Sequence, residues 1–201
     1  MKPIIGIISR HSVSESNNNI DITYSDIISS IKKSNGIPIS ISNKNFSDYI
    51  DICDGFILQG GDDIDEENLN IINILYEKDI PLLGICLGMQ EIAYNYNGII
   101  YDIDNHKNNY LHEITINKDS LLYKILGCHK TLVNSRHKSA IKNTDLFISA
   151  ISNDNVIEAI ECKDKKFFIG LEWHPENLYE KDLNSRKIFN YFIKACQEND
   201  C

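Results

Sequence analysis

Four nearly continuous apolar runs constrain the fold of this 201-residue chain more than any other feature. Runs of this kind are typical of strands that are buried on both faces of a sheet. Apolar residues at helical spacing lie between several of the runs, as in residues 24–31 and 66–78. Strands that alternate with helices predict an α/β fold, with a mainly parallel central sheet and helices on both faces. The four runs are residues 4–8, 37–41, 54–58 and 81–86.

The second half of the chain is less regular but predicts further strands. Weak alternation over residues 98–117 favours short strands, and a hairpin turn at residues 153–155 joins two of the later strands. A final amphipathic helix over residues 181–195 is expected to dock on the sheet. We find no repeat and no linker, so residues 1–201 are expected to form one domain. The later strands are residues 147–151, 156–162 and 167–171.

Charge and hydropathy exclude several classes of protein. The chain carries 29 acidic and 20 basic residues and a formal net charge of −9, without the basic face that a nucleic-acid binder needs. Its apolar runs are too short to cross a bilayer, and the sequence that follows Met1 has no secretory signal pattern. We therefore expect a cytoplasmic protein with neither nucleic-acid nor membrane partners.

Cysteine and histidine spacing gives no sign of a metal site or a disulfide framework. The six cysteines are scattered, and none belongs to a Cys-x-x-Cys pair. His106, His112 and His129 show no ligand spacing and no evident partner, so they are expected to be structural or exposed. The sequence predicts no metal and no cofactor. The cysteines are Cys53, Cys86, Cys128, Cys162, Cys196 and Cys201.

Cys86 differs from the other cysteines because of its local sequence. It is the centre of Gly84-Ile85-Cys86-Leu87-Gly88, where a buried strand turns directly into a helical pattern. Small residues on both sides allow a tight turn that exposes a nucleophile at the sheet edge. The following helix would direct its N-terminus at the thiol and lower its pKa, and the Leu87 N–H would be free to bind an oxyanion.

A cysteine nucleophile needs a base, and the base needs a group that orients it. His174 lies in the sequence Gly-Leu-Glu-Trp-His-Pro-Glu at residues 170–176, directly after a predicted strand. A sharp turn at Pro175 could bring the Glu176 carboxylate back to the imidazole. The two motifs together indicate a Cys–His–Glu arrangement.

The two motifs resemble those of the class I glutamine amidotransferases. Residues 84–90 and 170–176 are most similar to the γ-glutamyl hydrolase branch of that superfamily, which includes γ-glutamyl-γ-aminobutyrate hydrolases. The likeness extends over nearly the whole chain and includes residues 24–38, 59–65 and 133–137. It implies a class I glutamine amidotransferase-like, flavodoxin-like fold.

The resemblance also implies a role for each residue of the motifs. Cys86 would be the nucleophile, His174 the general base and acid, and Glu176 the carboxylate that orients the imidazole. Gln90 would contact the glutamyl group of the substrate, and the segment with Ser135 and His137 would line the same pocket. The N–H groups that bind the oxyanion would belong to Gly60, Gly61 and Leu87.

Two departures from the γ-glutamyl hydrolase pattern concern the leaving group. Asp62 replaces a third glycine, and His137-Lys138-Ser139 replaces His-His-Gln. The chain is also short for that branch. The nearest cations could hold a phosphorylated leaving group, or they could be solvated surface charges. These cations are Arg10, Arg136 and Lys138.

The expected activity is hydrolysis of a γ-glutamyl amide-type bond through a thioester, with release of L-glutamate. The preferred substrate is γ-glutamyl-CDP-amidate, which would give cytidine diphosphoramidate for a capsule phosphoramidate. Hydrolysis of γ-glutamyl-γ-aminobutyrate is the first alternative. A glutaminase subunit that delivers ammonia to a separate synthetase is the second, and a catalytically silent binding module is the third. A small γ-glutamyl molecule is thus the expected partner.

Overall fold

The computed structural model describes residues 1–107 and 110–198. Its helices of nine residues or more coincide with the predicted helical patterns, whereas the short helix Pro175–Leu178 lies where only a sharp turn was predicted. The helix Glu66–Glu77 begins after Asp65, whose side chain accepts a hydrogen bond from the Glu67 N–H. A short 3₁₀ helix spans Asn43–Asp48. The α-helices of the described residues are α1 Ser25–Lys33, α2 Glu66–Glu77, α3 Leu87–Asn95, α4 Leu121–Leu126, α5 Pro175–Leu178 and α6 Leu183–Gln197.

The strands of the described residues are more numerous than the sequence predicts. Residues 10–22 form an exposed hairpin that the apolar pattern does not predict, because its two strands have no buried apolar face. The strands are β1 Ile4–Ile8, β2 Arg10–Val13, β3 Asn19–Ile22, β4 Ile37–Ile41, β5 Gly55–Leu58, β6 Leu82–Ile85, β7 Ile100–Asp102, β8 Tyr110–Ile116, β9 Lys130–Ser135, β10 Ser139–Ile141, β11 Phe147–Ser152, β12 Ile157–Glu161 and β13 Phe168–Leu171.

Within the described residues, nine strands form one large sheet in the order β4-β1-β5-β6-β13-β12-β11-β8-β9. The pairs from β4 to β13 are parallel, and those from β13 to β9 are antiparallel. The predicted α/β class and parallel core are confirmed. The antiparallel half extends that core. A tight turn joins β11 to β12 and a short loop joins β12 to β13, whereas α4 lies in the connection between β8 and β9 and packs on the sheet.

Side chains that alternate along the parallel strands build a core on each face of the sheet. Ile7 and Ile57 pack toward the cluster that contains α1 and α6, whereas Phe56 and Leu58 pack toward α2 and α3. Helix α6 buries Phe192 in the first of these clusters, as the amphipathic pattern predicts. Burial on both faces explains why the strand sequences show little polar alternation.

In the described residues, no helix combines the length and the apolar character needed to cross a bilayer. The cysteines in that part of the chain are unpaired, and Cys201 lies outside it.

Candidate active site

Cys86 occupies a sharp turn between the carboxyl end of β6 and the first residue of α3. Its backbone has a φ of 53° and a ψ of −109°, in a region that residues with a Cβ rarely adopt. The Cys86 N–H donates to the Leu171 carbonyl of β13 at 2.7 Å, which fixes the turn to the sheet. The strained strand–turn–helix geometry expected from the sequence is therefore present.

Gly88 allows helix α3 to approach the neighbouring strand. A Cβ at this position would collide with the carbonyl oxygen of Leu58, at the end of β5. The second glycine of the motif is thus needed for close helix–strand packing, and it places the N-terminus of α3 beside the carboxyl end of β5.

His174 and Glu176 are joined directly. Because β13 lies next to β6 in the sheet, the loop after β13 carries His174 to the same edge as Cys86. The His174 Nδ1 lies 2.7 Å from the Glu176 Oε1, and the imidazole and the carboxylate are both largely buried. The His174 N–H donates to the Asn134 Oδ1 at 3.0 Å, which holds the backbone of this loop.

Gly60 marks the point at which the cysteine and the histidine converge. A Cβ built on Gly60 would lie 3.1 Å from the His174 Cε1 and 3.6 Å from the Cys86 Cβ. Both side chains therefore border the same glycine, at the carboxyl edge of the parallel strands. Crevices at this edge are the usual ligand sites of open α/β sheets.

A cavity of about 350 Å³ opens above this edge. Its volume suits a small molecule rather than a macromolecular segment. Acidic and basic side chains both face it, so it can accept a substrate that carries several charges. The lining residues are Tyr24, Ser25, Asp26, Gly60, Gly61, Asp62, Cys86, Arg136, Lys138, His174, Glu176 and Asn177.

Burial raises the pKa of the Cys86 thiol far above its ordinary value, and the Glu172 carboxylate adds to the rise. A hydrogen bond from the Leu87 N–H and the nearby Arg10 charge lower this pKa by smaller amounts. The expectation that the helix N-terminus gives a lowered pKa is therefore wrong, because desolvation of the thiolate outweighs the dipole. The direction of this shift favours the protonated thiol over the thiolate.

Comparison with known proteins agrees with this geometry. The model of the Peptidase C26 family matches residues 3–71 and 65–176, well over half of the chain. The chain belongs to the Peptidase C26 family. It is accordingly a hydrolase that acts on C–N amide bonds.

Three curated relatives illustrate the range of this family. Protein NtpR of Enterococcus hirae is 28% identical over 96% of this chain and 99% of its own length. The γ-glutamyl-CDP-amidate hydrolase of Campylobacter jejuni is 32% identical over 82% of each chain. The γ-glutamyl-γ-aminobutyrate hydrolase PuuD of Escherichia coli is 30% identical over 66% of this chain and 60% of its own.

A solved structure shows the same fold. The glutaminase domain of Trypanosoma brucei CTPS, solved with bound acivicin, superimposes with a TM-score of 0.76. The alignment covers 99% of this chain and 95% of that domain at 15% identity. The expected class I glutamine amidotransferase-like fold is thus confirmed.

Arg10 forms an ion pair with the buried carboxylate of Glu91. Its guanidinium makes two parallel hydrogen bonds to the Glu91 carboxylate, of 2.7 and 2.9 Å. It also donates to the Gln59 carbonyl at 2.5 Å and to the Gly60 carbonyl at 3.3 Å. These contacts engage the guanidinium in internal hydrogen bonds. Arg10 does not line the cavity above Cys86 but lines a neighbouring one that shares Gly61 and Asp62 with it, so a contact between Arg10 and a leaving group stays a prediction.

Gln90, Ser135 and His137 lie behind the cavity wall rather than on it. The Gln90 amide donates to the Glu172 carboxylate at 2.5 Å, and the Ser135 hydroxyl donates to the His106 carbonyl at 2.9 Å. Burial lowers the pKa of His137 and raises that of Glu172. These buried contacts brace the segment that carries Arg136 and Lys138. Direct contact of the three residues with the substrate stays a prediction.

Arg136 and Lys138 are the predicted cations that reach the cavity. The Arg136 guanidinium donates to the Asn177 Oδ1 at 2.7 Å. The Lys138 Nζ lies 3.5 Å from Asp62, and both side chains are largely exposed. An exposed ion pair of this kind contributes little to stability, so Lys138 can exchange its partner for an anionic ligand.

The expectation that His106 and His112 lack partners is wrong. The His112 Nε2 lies 2.8 Å from the Glu158 Oε1, and His106 is 1% exposed beside the same carboxylate. His129 makes one contact from its Nδ1 to the Ile116 carbonyl at 2.7 Å, consistent with a structural side chain.

Sequence reasoning did not single out several residues at the site. Asn134 and Asn177 hold the histidine loop and Arg136, and Asp26 contacts Asn177 at 2.9 Å. Asparagine is common in this chain, so its composition conceals these positions. The position of Asn177 directly after the Trp-His-Pro-Glu motif is the one local indication of its place.

Removal of Arg10 should destabilise the fold rather than alter substrate choice alone. In Arg10→Ala the fully buried Glu91 carboxylate loses its ionic partner, and we expect a loss of about 3–5 kcal/mol in the free energy of unfolding. Urea unfolding of Arg10→Ala, Glu91→Gln and the double variant would measure this loss. The double variant should lose markedly less unfolding free energy than the sum of the two single losses. Additive losses would contradict the pairing.

The raised pKa of Cys86 makes a prediction about alkylation. A thiol with a raised pKa forms more thiolate as the pH rises, and the increase continues beyond the pH at which a free cysteine is half ionised. The iodoacetamide rate at Cys86, followed by mass spectrometry, should therefore still rise above about pH 9. A rate that levels off near neutral pH would indicate a stable thiolate–imidazolium pair instead.

Proposed function

We propose that this hydrolase cleaves a γ-glutamyl amide-type bond through a thioester on Cys86, and that γ-glutamyl-CDP-amidate is its substrate. The observation that carries the proposal is the convergence of Cys86 and the His174–Glu176 pair on Gly60. We take residues 1–201 to act as one hydrolase domain, and a cytoplasmic location stays a prediction.

The contact between His174 and Glu176 assigns the proton positions. The imidazole donates its Nδ1–H to the carboxylate, so the Nε2 is free to accept a proton. As the Cys86 sulfur attacks the γ-carbonyl carbon, its proton passes to the His174 Nε2, and Glu176 stabilises the imidazolium. A thiol that remains protonated until substrate arrives is consistent with its raised pKa.

The developing oxyanion would be held by backbone N–H groups. The Leu87 N–H already points at the Cys86 sulfur. In a planar trans peptide the carbonyl and the following N–H point in opposite directions, so the Arg10 contacts to the Gln59 and Gly60 carbonyls turn the next two N–H groups away from Arg10. We propose that Arg10 thereby orients the oxyanion loop.

The remaining steps restore the enzyme. The tetrahedral intermediate collapses, the C–N bond breaks, and the imidazolium returns its proton to the leaving nitrogen. Water then attacks the thioester carbonyl with His174 as base, which releases L-glutamate and the Cys86 thiol. Atoms and charges balance without a cofactor.

The cations at the cavity support a phosphorylated leaving group. Arg136 and Lys138 face the same space as Cys86, and arginine and lysine are the side chains that usually bind phosphate groups. The relative from Campylobacter jejuni that acts on γ-glutamyl-CDP-amidate aligns over most of the chain. With Arg10 engaged elsewhere, these two residues are the proposed contacts to the diphosphate.

A second candidate is hydrolysis of γ-glutamyl-γ-aminobutyrate, which the similarity to PuuD favours. A single carboxylate on the leaving group could pair with Arg136 alone. The glutaminase reading, in which ammonia passes to a separate synthetase, is supported by the fold that this chain shares with the CTPS glutaminase domain. A substrate panel with free glutamine, γ-glutamyl-aminobutyrate and γ-glutamyl-CDP-amidate separates these candidates by the rate of glutamate release.

Replacement of the nucleophile tests the thioester mechanism. Cys86→Ala should lower glutamate release to background on every substrate of the panel and retain substrate binding, because only the attacking sulfur is removed. Rapid acid quench of the wild type followed by mass spectrometry should find glutamyl on Cys86. The control Cys128→Ala removes a half-buried cysteine elsewhere and should keep full activity. Retained turnover by Cys86→Ala would refute the mechanism.

The leaving-group contacts are tested by paired substrates. Arg136→Ala and Lys138→Ala should each lower kcat/KM for γ-glutamyl-CDP-amidate by about tenfold to a hundredfold, as expected when a charge-assisted contact is lost. Turnover of glutamine, which lacks the diphosphate, should be preserved. Lys118→Ala, an exposed cation outside the cavity, serves as the control. Equal losses on both substrates would assign these residues to the glutamyl end or the fold.

A further inference from the structure

A buried cluster of histidines and carboxylates lies behind the cavity wall that carries Arg136 and Lys138. The Glu158 Oε1 lies 2.8 Å from the His112 Nε2 and 3.5 Å from the His106 Nδ1. One nitrogen of each histidine and one carboxylate oxygen all lie within 4.8 Å of one another. His137 joins the cluster through its Nε2, which is 3.1 Å from the His106 Nδ1.

The acceptors around the cluster assign a tautomer to two of the imidazoles. The His137 Nδ1 faces the Ser139 carbonyl at 2.9 Å, so it carries the hydrogen and its Nε2 presents a lone pair. The His106 Nε2 faces the Asp154 carboxylate at 3.0 Å, so its Nδ1 presents a lone pair as well. Two lone pairs facing each other at 3.1 Å are repulsive unless a cation lies between or beside them.

Hydrogen bonding within the cluster leaves buried polar atoms unpaired. In the described residues, the Glu158 Oε2 and the His112 Nδ1 are buried and have no hydrogen-bond partner. The Glu158 side chain is fully buried, and an unpaired carboxylate oxygen is costly at such a position. The second carboxylate oxygen is therefore available to a cation.

We propose that His106, His112 and Glu158, with His137 as a fourth donor, form a binding site for a divalent transition-metal ion best matched by Zn²⁺. Tetrahedral Zn²⁺ with nitrogen and oxygen ligands at about 2.0–2.1 Å places neighbouring ligand atoms roughly 3.3 Å apart. Three of the six separations in the four-ligand set, 2.8 and 3.5 Å from the Glu158 Oε1 and 3.1 Å between His106 and His137, bracket that value. The atoms of His106, His112 and Glu158 all lie within 4.8 Å of one another, so small side-chain shifts would close the set around an ion.

The charge and the outer contacts of the cluster also fit such an ion. Neutral imidazoles with the Glu158 and Asp154 carboxylates balance the two positive charges of the metal. A carboxylate that accepts the second N–H of a ligating imidazole is the usual outer contact of a metal site, and Asp154 makes this contact with His106. A surface depression of about 310 Å³, lined in part by His112 and Asp154, gives access from solvent.

The site would fix the wall of the catalytic cavity. The Ser135 hydroxyl donates to the His106 carbonyl, and His137 stands between the two cations Arg136 and Lys138. A metal ion that ties His137 to β8 and β12 would therefore hold this segment in place. The role of the ion would be structural rather than catalytic, since neither Cys86 nor His174 belongs to the cluster.

The test is metal binding to the full chain in the Cys86→Ala background, which removes a competing thiol. After dialysis against a chelator, Co²⁺ as a spectroscopic probe should bind as one equivalent, with the visible bands of a tetrahedral nitrogen–oxygen site. Zn²⁺ should displace it and raise the thermal midpoint. His112→Asn should weaken binding at least about tenfold, and Asp154→Asn, on the exposed rim, should weaken it by a similar or smaller factor.

The control is His129→Asn, which removes an exposed histidine outside the cluster and should bind like the parent. Circular dichroism and thermal unfolding in chelator establish that Asp154→Asn and His112→Asn are folded. Three outcomes would overturn the proposal. They are no stoichiometric binding, binding that both cluster variants leave unchanged, and a sulfur-to-cobalt charge-transfer band. Absence of stoichiometric binding would indicate that a proton on the His106 Nδ1, rather than a metal ion, lies between the two imidazoles.

Discussion

A buried ion pair between Arg10 and Glu91 joins the chain segments that converge on the catalytic cavity. Arg10 follows β1, the Gln59 and Gly60 carbonyls that it contacts follow β5, and Glu91 lies in α3 after β6. The same carboxylate accepts hydrogen bonds from the Asp65 N–H and the Asn68 amide, at the start of α2. Removing either charge would leave the other buried without its ionic partner, so the arrangement holds as a unit.

Burial of the thiol gives the site a particular chemical character. The turn at Cys86 places the sulfur at the N-terminus of α3, yet burial raises the pKa of the thiol above its ordinary value. A helix dipole stabilises an anion only by an amount that desolvation can exceed. The negative charge would then develop on the substrate oxygen, where backbone N–H groups can donate hydrogen bonds to it, and no preformed thiolate would be needed.

The sequence predicts the parallel core and the motif residues because the causes are local. Apolar residues without polar alternation require burial on both faces, and the glycines around Cys86 require a tight turn. The positions of Arg10, Gln90 and His137 were not predictable in this way. Each is a polar residue whose partner lies far away in sequence, and such residues are equally typical of a solvated surface. The side chains of the cluster at His106 come from separate segments, so their proximity was not predictable from spacing either.

The two halves of the sheet divide the cavity between them. Cys86 and the glycine loop follow strands of the parallel half, whereas Arg136 and Lys138 follow β9, the outermost strand of the antiparallel half. His174 follows β13, where the two halves meet. Evolution can therefore vary one wall of the cavity by replacing or lengthening the outer strands, while the wall around the cysteine is preserved. Relatives that share the same turn at the cysteine can therefore differ in substrate through changes confined to the outer strands.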